Sequence, residues 1–117
     1  MTPSEFEKIV NDAMESLPGW VHTALRNIDV LVVDDPREVA AAEGENLLGL
    51  YVGSPVTERE ANHVGELPDV IYIFRRPHLA LGSSSVELRE EIARTVIHEI
   101  AHYFGIDDDY LDEIGWG

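Results

Sequence analysis

Helical and strand periodicities alternate along this chain and predict a small mixed domain of class α+β. Three observations carry that expectation. An amphipathic helical stripe opens the chain, β-branched runs occupy 28–33 and 69–74, and a longer helical stripe fills 85–104. At 117 residues the chain is expected to form one domain, 1–117, with enough buried surface for one core.

Thr2 to Leu17 reads as the first helix. Thr2 and Glu5 make a capping box, Pro3 suits the first helical position, and Phe6, Ile9, Val10, Ala13, Met14 and Leu17 share one face. Pro18-Gly19 stops it. Trp20 to Arg26 adds a short helix with Trp20, Val21, Ala24 and Leu25 turned inward. Ile28 to Val33 is a strand, closed by Asp34-Asp35-Pro36, where adjacent carboxylates are first a turn signal. Residues 37–46 stay open between coil and one or two helical turns. Leu47 to Val52 is a second strand candidate. A long polar loop over 54–68 follows, carrying a solvated His63.

Asp69 to Phe74 is the clearest strand. Val70, Tyr72 and Phe74 share one face and Ile71 and Ile73 the other, so it should be central or covered on both sides. Pro77 marks its end, and Arg75 and Arg76 are expected to pair with acidic surface. Ser84 and Glu87 form a second capping box, opening a helix from about Ser85 to Phe104 with Leu88, Ile92, Val96, Ile100 and Tyr103 as its core stripe. Asp107 would cap a short terminal helix over 107–114. The expected architecture is a short three- to four-stranded sheet packed on the N-terminal helix and the long C-terminal one.

Composition removes several function classes. There are no cysteines, so disulfides, thiolate ligands and Cys nucleophiles are excluded. Net charge is −15, from 23 acidic and 8 basic side chains, with no basic run, which repels phosphate backbones and argues against a nucleic-acid partner. No stretch approaches 18 consecutive apolar residues and the N-terminus lacks an apolar signal core. A cytoplasmic protein without membrane contact is expected.

The long helix carries the chemistry. Thr95 to Asp108 contains H-E-x-x-H-x-x-G-x-x-D. His98 and His102 stand one turn apart on one helical face, where two imidazoles can share one metal ion. Glu99 follows about 100° round the helix, placed to reach a water on the metal without ligating it. Gly105 can end the helix in the left-handed conformation, and Asp108 can then swing back as third ligand, leaving the open position of a catalytic zinc. At this composition the full pattern arises by chance in roughly 2 of 10,000 such chains. Glu91, Thr95, His98 and His102 form a stripe separate from the core, so the histidines should face a cleft. Glu91 or Thr95 could orient a histidine through its second ring nitrogen. Tyr72, His78, Tyr103 and Tyr110 are candidate oxyanion donors.

These residues resemble the zincin metallopeptidases, with the spacing of the metzincin branch in which Asp is third ligand. No Met follows Asp108, so a metzincin Met-turn is absent from the nine residues after it. Leu50-Tyr-Val-Gly-Ser-Pro-Val-Thr-Glu-Arg59, Leu67-Pro-Asp-Val-Ile-Tyr-Ile-Phe-Arg75 and the stretch from Thr95 to Asp108, ending in Asp112-Glu-Ile-Gly-Trp116, are similar to a family of minimal bacterial zincin-like metallopeptidases. That resemblance implies a small α+β domain with an active-site helix under a short sheet. It also implies one Zn2+ per chain held by His98, His102 and Asp108, a catalytic Glu99, and a peptide or protein substrate.

Two other functions fit the same residues. H-x3-H-x5-D is similar to the H-x3-H-x5-H site of bacterial single-strand endoribonucleases, although the acidic charge opposes an RNA groove. A zinc ion could instead staple the long helix to the C-terminal segment in a non-catalytic interaction domain. The oligomeric state is not encoded in any motif.

Overall fold

A computed structural model describes residues 1–39, 47–53, 69–82, 84–106, 109 and 113. Helix α1 spans Pro3–Glu15, and Thr2 accepts the Glu5 N–H at 3.2 Å, as the capping pattern requires. Helix α2 spans Gly19–Leu25. Strand β1 (Ile28–Val33), strand β2 (Gly49–Val52) and strand β3 (Asp69–Phe74) form one sheet in the order β1-β3-β2. Helix α3 spans Arg75–Leu79 and helix α4 spans Ser85–Tyr103. The expected α+β class is the observed one.

The apolar strand β3 is central, parallel to β1 and antiparallel to β2. Ile71 and Ile73 point to the helices and are fully buried with Phe6, Val10, Leu88, Ile92, Val96 and Ile100. This core sits between one face of the sheet and helices α1 and α4. Val70 and Tyr72 alternate to the opposite face and are half-buried. Among the described residues no helix is long and apolar enough to cross a membrane.

Two local expectations change, and a third, the pairing of Arg75 with acidic surface, is met. Trp20 is 56% exposed rather than inward, because α2 turns Val21 into the core and Trp20 away from it. The chain after β3 enters α3 at once: Pro77 lies in the first turn of that helix, where its missing N–H has no partner to lose. The paired carboxylates at the end of β1 are taken up by arginines. Arg75 Nε donates to Asp34 at 2.7 Å, and the Arg37 fork lies on Asp35, holding that carboxyl down at about 2. Residues 40–46 and the loop with His63 lie outside the described residues.

Helix α4 is fixed by two contacts that sequence periodicity does not show. Gly49 of β2 packs directly on it: a Cβ there would lie 2.5 Å from Thr95 Cγ2 and 3.0 Å from Tyr72 O. Behind Thr95 stands His78 of α3, with 0% exposure. Its Nδ1 is 2.8 Å from Phe74 O and its Nε2 is 3.0 Å from Thr95 Oγ1. A carbonyl only accepts, so in the neutral ring Nδ1 carries the proton and Nε2 accepts from the Thr95 hydroxyl. The same hydroxyl lies 2.9 Å from Glu91 O, and its one proton serves either acceptor.

Gly49→Ala is expected to destabilise the fold by about 1–3 kcal/mol in urea unfolding, as overpacking does. Thr95→Ser, which removes the clashing methyl, should recover part of that loss in the double variant. Burial holds the His78 imidazole below its ordinary value of 6.5, outweighing the Phe74 carbonyl and Glu91, which act the other way. The unfolded chain therefore binds a proton at a pH where the folded chain does not. Stability should be level in this contribution above about pH 6.5 and fall as pH drops from there through the lowered folded value. His78→Phe should flatten that slope in melts recorded between pH 7 and 5. An unchanged slope would show that other groups cause it.

Candidate active site

The histidine motif lies on the last two turns of α4. Around the helix at 100° per residue, His98 and His102 fall on one side and the Ile92, Val96 and Ile100 stripe on another. Thr95 and Glu99 fall at the seam between them. That position explains why both are buried although both are polar, Glu99 with 6% exposure.

Glu99 is held from the sheet. Phe74 N donates to Leu48 O at 3.0 Å, which sets the antiparallel alternation: in the Gly49↔Ile73 and Tyr51↔Ile71 pairs the main-chain groups of β2 face away from β3. Among the described residues strand β2 is a sheet edge, so these groups need another partner. Tyr51 N donates to Glu99 Oε2 at 2.9 Å. A buried carboxylate and an edge donor thereby satisfy each other. His102 Nδ1 lies 3.2 Å from the same oxygen. With that nitrogen protonated, Nε2 is the nitrogen of His102 that could take a metal. Among the described residues both contacts fall on Oε2 and none on Oε1.

The rings of His98 and His102 meet edge to face with centroids 4.9 Å apart. Two imidazoles bound to one tetrahedral zinc at 2.0–2.1 Å per nitrogen put their ring centres about 5 Å apart. The separation of the pair is the one a shared ion would require. Two histidines leave a site open, and among the described residues no group of three or more His, Asp or Glu is placed to hold a metal. Asp108, expected as third ligand, lies outside the described residues, as do Asp107 and Tyr110.

The turn that leads to Asp108 is described. Gly105 has φ 74°, its N–H donates to His102 O at 3.0 Å, and Ile106 N donates to Ala101 O at 2.8 Å. These two bonds make the Schellman closure that a left-handed glycine permits, so α4 ends just past His102 as expected.

A cleft of ≈ 270 Å³ opens beside His98. Leu47, Leu48 and Gly49 form one wall, and Glu91, Arg94, Thr95, His98 and Glu99 of α4 the other. The cleft expected beside both histidines is lined by His98 and not by His102, with the start of β2 as its cover.

The supporting residues differ from those expected. Thr95 does engage a histidine, but it is His78 of α3 and not a member of the motif. His78 is itself removed from the oxyanion candidates, since both ring nitrogens are engaged in the interior. Tyr72 is removed too, because it lies on the sheet face opposite Ile71 and Ile73, stacked on Phe74 at 6.2 Å. Tyr103 packs edge-on against Tyr51, with centroids 5.9 Å apart, next to His102. Sequence reasoning missed Gly49 and Tyr51. The signal was a glycine inside an otherwise apolar strand, which marks close backbone approach.

The chain and its fold both have known counterparts. No curated protein matches the chain. A solved structure of a conserved hypothetical protein from Thermo thermophilus is similar in fold, with a TM-score of 0.58, 20% identity, and coverage of 89% of this chain and 94% of that one. The profile of the zincin-like metallopeptidases matches residues 25–116, and the chain belongs to that family.

Proposed function

We propose that this chain, acting as one domain, is a zinc-dependent peptidase that hydrolyses peptide bonds in a peptide or protein substrate. The observation that supports it best is the pair of histidine rings 4.9 Å apart beside a glutamate anchored through one oxygen. Family membership supports the same reaction class. His98, His102 and Asp108 would hold the ion, and the Schellman turn at Gly105 starts the return toward Asp108. Bound zinc supplies Lewis acidity, lowering the pKa of water and polarising the scissile carbonyl.

The remaining work falls to the chain. Glu99 takes the proton of the attacking water on Oε1 while Tyr51 N–H holds Oε2. The new C–O bond forms as the water adds to the carbonyl carbon. Glu99 then passes the proton to the departing amine as the C–N bond breaks. The cleft beside Gly49 receives the substrate, and its cover of apolar side chains keeps bulk water away from the carboxylate.

Purified parent protein should carry about one zinc per chain by metal analysis, and His98→Ala, His102→Ala and Asp108→Ala should each lose most of it. Glu99→Gln should keep zinc and fold and cleave peptides at least about 100-fold more slowly. A variant that cleaves as fast as the parent would remove Glu99 as the base. Chelation should abolish cleavage while the fold still melts cooperatively at a lower temperature. Collapse of the fold on chelation would instead indicate a structural zinc staple.

A further inference from the structure

Asp69 stands where packing alone calls for an apolar residue. It opens β3 on the face that carries Ile71 and Ile73, pairs in register with Ile28, and is only 3% exposed. A carboxylate in that position is costly unless it is hydrogen-bonded. Tyr51 OH donates to its Oδ2 at 3.0 Å. The backbone of Gly53 comes in on the other side, so close that a Cβ there would run into the carboxylate. Tyr51 is thus gripped at both ends, its phenol by Asp69 and its main-chain N–H by Glu99.

We infer that Asp69 and Tyr51 are positioning residues for Glu99: the buried carboxylate of Asp69 fixes the Tyr51 phenol, and Tyr51 thereby acts as a strut that holds its N–H on Glu99 Oε2. This rests on Glu99 being the base of the proposed reaction. The ladder with β3 fixes the register of β2, and the packing of Gly49 on Thr95 brings the strand close to α4 at one end. The strut holds residue 51, two positions further along, at the same approach. Without the phenol anchor the strand edge can draw back, the N–H leaves Oε2, and the carboxylate is free to rotate away from the proton it must take. The displacement needed is small, because an error of about 1 Å in a catalytic group can cost two orders of magnitude in rate.

The test compares the zinc-loaded parent with Tyr51→Phe, Asp69→Leu, their double variant, and the conservative Asp69→Asn, whose amide oxygen still accepts from the phenol. For peptide cleavage, kcat should fall about tenfold or more in Tyr51→Phe and Asp69→Leu, with KM and zinc content near parent values. The double variant should be no slower than the worse single one, because both remove the same bond. Asp69→Asn should restore most of the rate. Amide hydrogen exchange in the zinc-free proteins gives a readout apart from activity. The amide of residue 51 should exchange about tenfold faster in Tyr51→Phe and Asp69→Leu, while those of Val96 and Ile100 stay at parent rates. Unchanged exchange at residue 51, equal acceleration throughout, or kcat losses that multiply in the double variant would each overturn the strut. A parent that binds zinc but cleaves no peptide would overturn the peptidase reading, and with it the catalytic role of the strut. The exchange pattern would still decide whether Asp69 and Tyr51 set the Glu99 contact.

Discussion

One hydrogen bond, from Tyr51 N–H to Glu99 Oε2, joins a strand edge to the histidine helix and organises everything around it. Each group would be a liability alone. An edge N–H facing away from its sheet invites pairing with another chain, and a carboxylate with 6% exposure carries a large desolvation cost. Together they are a charge-assisted bond, worth about 1.5–3 kcal/mol, that ties β2 to α4. The bond also differentiates the two oxygens of Glu99, which two-fold symmetry would otherwise leave equivalent. One is structural, and the other is the one the proposed reaction would use.

Close approach makes the bond possible. A strand reaches the flank of a helix at this range only where a side chain is missing, and Gly49 is that place. Thr95 then has two neighbours with opposite demands. Its methyl meets Gly49, while its hydroxyl meets the His78 ring. A β-branched residue with one polar and one apolar arm serves both. Valine would leave the imidazole nitrogen without its donor, and serine would leave a void against Gly49.

Much of this is legible in the sequence. The elements follow from periodicity and capping: Thr2, Ser84 and Gly105 all act at the helix ends where their residue types put them. The position of β3 at the centre of the sheet follows from its apolar faces. The histidine pair follows from spacing alone, since i and i+4 must share a helical face. What stays hidden is tertiary. The hydrophobicity of its own segment turns Trp20 inward, yet the orientation of α2 gives the core to Val21. The residue type of His78 allows a reactive group, and only the fold shows that it props Thr95. Tyr72 and Tyr51 are chemically alike and differ in the face on which alternation puts them. Helical phase, however, already places Glu99 about 80° from the mean of the histidine stripe and on the flank of the core stripe, so its burial is implied by the sequence.

Burial of His78, Asp69 and Glu99 also bears on how a strand of four residues keeps one register. Four ladder pairs specify register weakly. A slip by one residue would turn Tyr51 to the outer face of the sheet and point its N–H toward β3. It would also move Gly49 off Thr95 and bring the side chain of Leu48 or Leu50 into a space that admits no Cβ. The Asp69 carboxylate would then be left buried without the phenol, and Glu99 without its donor, each at a cost greater than the whole net gain of one hydrogen bond. An apolar replacement of these polar groups would favour burial as such and would tolerate the slipped pairing nearly as well as the native one. The polar groups therefore act less through the stability they add than through the penalty they impose on every alternative. For the role proposed for Glu99, fixed placement of its carboxylate matters more than a few additional kcal/mol.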